Sequence, residues 1–243
     1  SHVAILARTM GIPTVMGVVD LPINRLDGKE VILDGYKGEL IGNPSETVRQ
    51  RYENTIKEQT ELIAGLEELK DLPCITADKH RVHLWVNTGL ISDVVRSLDQ
   101  GAEGVGLYRT EVPFLLSERF PSEHEQAEIY REQLEAFSPM PVTMRTLDIG
   151  GDKALSYFPI EEENPFLGWR GIRVTLDHPE IFTAQIRAMM RASAGLENLQ
   201  IMLPMISSVN EVKSAIQLIK RAYRELIQEG LSIKYPAVGV MIE

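Results

Sequence analysis

GAEGVGLYRTE, residues Gly101–Glu111, decides how this chain is read. It reads as a short buried strand, Gly104–Tyr108, that runs straight into an arginine and an acid, Arg109 and Glu111. VTMRTLD, Val142–Asp148, repeats the arrangement: an apolar run, then Arg145, then Asp148. Leu199–Met205 and Ala237–Glu243 carry the same apolar pattern, and the last closes on Glu243. Buried strands that end in exposed charge are what a (β/α) barrel requires, because its chemistry sits at the carboxyl ends of the strands. Two arginines and a carboxylate at such ends point to a phosphorylated, metal-bound ligand.

Outward from these stretches, strand and helix alternate from Leu72-Pro73 onward. Val82–Asn87 predicts a strand, Ile91–Gln100 a helix, Gly104–Tyr108 a strand, Glu123–Phe137 a helix and Val142–Thr146 a strand. A long loop, Gly150–Gly168, leads to a helical stretch over Pro179–Ala194. The strand Gln200–Met205, the helix Asn210–Glu229 and the strand Val238–Glu243 follow. Such alternation implies parallel strands joined by right-handed crossovers. Five strands are read where a closed barrel has eight. The residues alone leave two choices: an open, doubly wound sheet, or about half of a barrel.

The first part of the chain is different. Its opening, SHVAILAR, reads as an apolar helix with neither a start methionine nor a lead-in segment, so the chain is expected to open inside something larger. Thr14–Val19 predicts a strand, Asp27-Gly28 a turn, and Glu30–Asp34 and Glu39–Ile41 two further strands. Three short strands around one helix make no self-sufficient core. At Asn43-Pro44-Ser45-Glu46 a helix starts, with Asn43 as cap and Pro44 at the first helical position. It runs to about Leu69 with Val48, Tyr52, Ile56, Ile63 and Leu66 on one stripe. Its place between a β-rich piece and a βα array favours a linker arm over a packed surface helix.

Bulk properties narrow the function. The chain has 243 residues, 44% hydrophobic and 25% charged, with ample core for one large domain or two modest ones. A net charge of −10 argues against nucleic acid or an anionic membrane as the main partner. The single cysteine, Cys74, excludes an intrachain disulfide framework and fits a reducing, cytoplasmic setting. No apolar run approaches the roughly 18 residues of a membrane span. His80, His83, His124 and His178 lack metal-ligand spacing.

Taken together, GAEGVGLYRTE, Met144–Lys153 (MRTLDIGGDK), Glu163–Arg173 (ENPFLGWRGIR) and Gly239–Glu243 (GVMIE) closely resemble the phosphoenolpyruvate–protein phosphotransferases, the Enzyme I family of the bacterial phosphotransferase system. SHVAILAR resembles that family's active-histidine motif, and Asp27–Gly35 (DGKEVILDG) the segment after it. Asn87–Asp93 (NTGLISD) and Val112-Pro-Phe are more similar to the nitrogen-regulatory form than to the sugar-uptake form. The resemblance covers the whole chain. It implies an α/β fold: the first half of a phosphoenolpyruvate-utilising TIM barrel over 73–243, a linker helix over 44–72, and the C-terminal part of a swivelling phosphohistidine domain over 1–43.

The resemblance also implies roles. His2 is the expected phosphoryl acceptor, since neutral imidazole is nucleophilic near pH 7, and Arg8 helps to hold the phosphoryl group. Arg109 and Arg145 are expected on the phosphate of phosphoenolpyruvate, Arg170 is a further substrate arginine, and Glu243 is one of two carboxylates on Mg²⁺. Either barrel arginine is expected to serve the ligand rather than the fold. Asp148, Asp152 and Lys153 are read as support around these groups. Cys74 matches no catalytic cysteine of the family, which belongs to a later strand. Implied partners are phosphoenolpyruvate, a phosphocarrier protein of the HPr type and a second copy of the chain. Two other readings compete: a dikinase or phosphoenolpyruvate synthase of the same superfamily, and a non-catalytic regulatory barrel module.

Overall fold

The computed structural model describes residues 7, 11–67, 69–89, 92–150, 155–164 and 166–242. They form two compact units, Ser1–Leu72 and Pro73–Glu243.

In the first unit a one-turn helix α1 (Ile23–Leu26) precedes an antiparallel hairpin of β1 (Val31–Asp34) and β2 (Glu39–Gly42). Val31 pairs with Gly42 and Asp34 with Glu39. Asp34 shapes the turn, its Oδ1 accepting the N–H groups of Tyr36 and Lys37 at 3.0 Å each. The long helix α2 (Glu46–Glu67) follows, and Tyr52 on it donates to Asp34 Oδ2 at 2.9 Å. Two expectations need correction. Thr14–Val19 forms no strand: Gly17 at φ 74° breaks the extended run, and Val18 and Val19 are exposed. The helix also begins later than Asn43 and Pro44. Asn43 adopts φ 50°, and the first helical bond runs from Arg49 N–H to Ser45 O at 2.9 Å. Of the expected stripe on α2, Val48 and Tyr52 are half-buried while Ile56, Ile63 and Leu66 are exposed.

The second unit is built on a parallel sheet of β3 (Val86–Thr88), β4 (Val105–Arg109), β5 (Val142–Arg145), β6 (Leu199–Leu203) and β7 (Ala237–Val240). Spatial order equals chain order. A doubly wound sheet would reverse its order at a switch point; this one does not, so its strands follow one another as in a barrel. β3 is shorter than expected. Val82 N–H bonds to Cys74 O at 2.8 Å and Leu84 N–H to Glu103 Oε2 at 2.8 Å, which diverts residues 82–85 from the ladder.

Between the strands run α3 (Ser92–Asp99), α4 (Glu111–Leu115), α5 (Glu123–Phe137), α6 (Ile172–Asp177), α7 (Pro179–Ala192) and α8 (Val209–Gln228). β6 shows how the sheet is covered: Leu199, Ile201 and Leu203 are buried, while Gln200 and Met202 between them are half-buried. The main core joins Val142, Met144, Leu199, Ile201 and Leu203 of the strands to Tyr130, Leu134, Phe137, Phe182, Ile186, Met189, Ile219 and Leu226 of α5, α7 and α8. Each fully buried large side chain contributes about 1.5–3 kcal/mol of apolar transfer. Capping boxes fix the start of two helices, Ser122 with Glu125 and Ser208 with Glu211. Outside the core, Arg187 and Arg191 bridge Glu123 of α5 to Glu229 beyond α8. Burial alone would lower the pKa of Arg187, but Glu123 and Glu229 outweigh it and raise it.

Candidate functional site

Arg109 ends β4 and Arg145 ends β5, and the two are register partners in the parallel ladder. Paired residues of adjacent strands share a face of the sheet. On that same face, one step earlier along β5 and β6, Thr143 Oγ1 donates to Gln200 Oε1 at 3.1 Å. The carboxyl ends of β4 and β5 therefore carry two arginines as register neighbours.

Their surroundings differ. Arg109 is exposed and makes no ion pair among the described residues. Arg145 is buried, with 6% of its surface exposed. Its Nη2 donates to Glu111 Oε1 at 2.5 Å, and its Nη1 lies 3.2 Å from Asp148 Oδ2. Its Nε is buried and has no hydrogen-bond partner among the described residues. Asp148 in turn takes Arg170 in a two-pronged contact, with Nη2 at 3.0 Å from Oδ2 and Nε at 3.3 Å from Oδ1. A chain of alternating charge thus runs Glu111, Arg145, Asp148, Arg170. Among the described residues, the arginines of this end of the sheet are Arg109, Arg145 and Arg170, and the carboxylates in this chain of charge are Glu111 and Asp148. Low-dielectric surroundings strengthen each of these contacts and hold the guanidinium planes in place.

Each participant is set by local structure. Thr110 Oγ1 donates to Arg145 O at 2.8 Å, tying the end of β4 to the end of β5. Glu111 opens α4 and is itself buried. Arg170 arrives from the loop beyond β5 because a second, smaller core holds that loop down. Phe114, Leu147, Ile149, Leu155 and Val174 form it, with Phe120, Tyr157, Phe158 and Trp169 packed around them. Tyr157 donates its hydroxyl to Phe114 O at 2.9 Å, and Trp169 Nε1 donates to Asp177 Oδ2 at 2.6 Å. Two glycines make the approach possible. Gly150 has φ 117°, and a Cβ there would sit 2.6 Å from Arg170 Cβ. Gly171 has φ 57°, and its Cβ would lie 2.9 Å from Met205 Cγ and 3.1 Å from Asp148 Oδ1. Only glycine takes such backbone angles with so little room.

Of the residues singled out in the sequence, Arg109, Arg145 and Arg170 are therefore gathered at one end of the sheet, with Asp148 between the last two. His2, Arg8, Asp152, Lys153 and Glu243 lie outside the described residues. Sequence reasoning gave no role to Glu111 as the partner of Arg145; a carboxylate two residues after a strand-end arginine was the available signal. Among the described residues no group of three or more His, Cys, Asp or Glu side chains is arranged to hold a metal ion. Glu111 contacts the guanidinium of Arg145, and Asp148 those of Arg145 and Arg170. Among the described residues no helix is long and apolar enough to cross a membrane.

Comparison with known proteins accords with this arrangement. Residues 63–243 match the family model described as PEP-utilising enzyme, PEP-binding domain, and residues 1–38 match that of the PEP-utilising enzyme mobile domain. The whole chain is 48% identical over 244 residues to a Salmonella typhimurium protein named for the phosphoenolpyruvate-dependent phosphotransferase system. It is 41% identical over 249 residues to the phosphoenolpyruvate-protein phosphotransferase of Staphylococcus carnosus and 40% identical over 245 residues to that of Bacillus subtilis. The chain spans 32% of the length of the first of these relatives and 43% of each of the other two. With a family model covering most of its length and a barrel-ordered sheet that ends in paired arginines, the chain belongs to the PEP-utilising enzymes, as a part carrying PEP-binding-domain and mobile-domain sequence.

Proposed function

We propose that this chain binds phosphoenolpyruvate at the carboxyl ends of β4 and β5 and takes part in phosphoryl transfer to a histidine. Arg109 and Arg145 hold the phosphate, and Arg170, fixed through Asp148, supplies further positive charge. The phosphoryl group leaves the enol oxygen of phosphoenolpyruvate and forms a P–N bond with His2. The departing enolate takes up a proton to give pyruvate, and the phosphohistidine then passes its group to a phosphocarrier protein of the HPr type. Arg8 steadies the group on His2. Charge spread over the moving phosphoryl oxygens is what such a site must stabilise, and pre-oriented guanidinium groups do so without rearrangement.

One observation supports this reading above the others: Arg145 is buried, oriented by Glu111 and Asp148, and still keeps an Nε without a partner among the described residues. A buried donor left over is an anion-binding group in waiting. Mg²⁺ belongs to the reading as a hard ion suited to phosphate oxygens, with Glu243 as its proposed ligand.

In the same reading residues 1–43 belong to a swivelling phosphohistidine domain, 44–72 to a linker helix and 73–243 to the first half of a barrel. The setting is cytoplasmic, and the form is the nitrogen-regulatory one. Identity of 48% to the relatives named for the phosphoenolpyruvate-dependent system, against 42% or less to those named phosphoenolpyruvate-protein phosphotransferase, supports a division of that kind. Self-association as a homodimer also belongs here. Among the described residues β7 lies at one edge of the sheet, and Val240 and Ile242 are exposed.

Calorimetric titration with phosphoenolpyruvate, pyruvate, sulfate and ATP tests the ligand. Binding of phosphoenolpyruvate in preference to the other three is expected. Preference for ATP would favour a dikinase, and equal binding of sulfate would reduce the site to a general anion trap.

A further inference from the structure

Gln185 is a fully buried polar residue on α7, whose neighbours Phe182, Ile186 and Met189 belong to the core. Its carbonyl Oε1 accepts the N–H of Leu147 at 2.8 Å. Its amide Nε2 donates to Thr110 Oγ1 at 3.0 Å and to the Tyr130 hydroxyl at 3.1 Å. Thr110 directly follows Arg109, and Leu147 lies two residues after Arg145. Thr110 passes the connection on, donating to Arg145 O at 2.8 Å. One side chain therefore touches the chain just beyond both arginine-bearing strand ends.

The direction of every bond in this set is fixed. Gln126 Nε2 donates to Pro121 O at 2.8 Å, and a carbonyl can only accept, so Gln126 Oε1 must face Tyr130. The Tyr130 hydroxyl donates to that oxygen at 3.1 Å. Burial pushes its pKa far up, so it stays a neutral phenol with its one proton in place. It is then an acceptor toward Gln185. At the other side Leu147 N–H can only donate. Both ends demand the same amide orientation, and Thr110 is left to accept from Gln185 and donate to Arg145 O. A satisfied buried network of this kind specifies one geometry.

We infer that Gln185 is a positioning residue that sets the spacing of Arg109 and Arg145 for phosphate. It acts through Thr110 and Leu147 and touches no ligand itself. The inference rests on the ligand reading given above. In catalysis a misplacement of about 1 Å can cost a hundredfold in rate, so a tie at this spot has leverage on how the arginine pair meets a ligand.

The test uses this chain with Gln185→Glu, Gln185→Met, Thr110→Val and Thr110→Ser. Gln185→Glu keeps the shape but removes the two donors; Gln185→Met removes the polar group; Thr110→Val removes the bridging hydroxyl. Two quantities are read: exchange protection of the Leu147 amide with the Arg145 side-chain NMR signals, which need no ligand, and affinity for phosphoenolpyruvate. Gln185→Glu and Thr110→Val are each expected to weaken binding on the order of tenfold or more, to shift the Arg145 signals, and to combine non-additively. Thr110→Ser, which keeps the hydroxyl, is expected to recover affinity. If a Gln185 variant does not fold, Thr110→Val carries the test alone. Folded variants with unmoved Arg145 signals, or with lowered melting temperature but unaltered affinity, would overturn the inference. Should the wild-type chain bind no phosphoenolpyruvate, the ligand reading falls, while the ligand-free signals still decide whether Gln185 sets the arginine pair.

Discussion

Arg145 Nη2 lies 2.5 Å from Glu111 Oε1, and both side chains are buried. The pair joins the end of β5 to the first residue of α4, so the helix that follows β4 is anchored by the arginine of its neighbouring strand. Arg109, its register partner, is exposed and has no ion pair among the described residues. Two arginines read from the sequence as equivalent therefore have unlike surroundings: one is buried in ion pairs, and the other is exposed with none among the described residues.

Arg145→Met is expected to destabilise the second unit by about 3–5 kcal/mol, the usual penalty for breaking a buried ion pair. Urea unfolding of the two chains measures this. Equal midpoints for wild type and Arg145→Met would show that the pair carries no stability.

Gly150→Ala is expected to lose about 1–3 kcal/mol, since its backbone angle is unfavourable for any side chain. Its new Cβ would also press on Arg170 and loosen the hold of Asp148. Thermal melts report the first effect and a crystal structure of the variant the second. An unshifted melt with Arg170 still on Asp148 would contradict both.

The strand and helix alternation was legible because apolar runs and long amphipathic helices leave a period in the sequence. α4 and α6 left none: each is under two turns, and their buried residues are divided, Phe114 and Val174 in the loop core and Ile172 in the main one. Thr14–Val19 misled for the opposite reason, a β-branched run with no ladder partner among the described residues. Within the site, Arg109, Arg145 and Arg170 stood out through their motifs. The pairing of Arg145 with Glu111 and the bridge from Gln185 depend on tertiary contacts that no local pattern encodes. A glutamine at the three-residue step between Phe182 and the core residues after it was the one hint that α7 buries a polar group.

Acid should weaken the start of α5 in a definite window. Arg119, with the Ser122 backbone and hydroxyl, holds the Glu125 carboxyl down to about 2 from an ordinary 4.5. A depressed carboxylate stabilises fully above its unfolded-state pKa and loses that contribution as pH falls through the folded one. The stability gap between wild type and Glu125→Gln should therefore be constant above about pH 5 and close by about pH 2. A gap that persists to pH 2 would assign the effect to something other than this charge.

The proposed self-association predicts a concentration-dependent mass, with exposed Val240 and Ile242 beside β7 as the surface it would use. Light scattering over a range of concentrations should show mass rising toward a dimer. A monomer at every concentration would remove the homodimer from the proposed function.

The most direct measurement compares phosphoenolpyruvate binding by the wild-type chain and by Arg109→Ala, using calorimetry below the melting temperature of both. Arg109 supports no ion pair among the described residues, so its removal should leave the melt in place. Losing a charge-assisted contact to phosphate is worth about 1.5–3 kcal/mol, so affinity is expected to fall about ten- to hundredfold. Equal affinity in the two chains, with both folded, would contradict a phosphate site at the ends of β4 and β5.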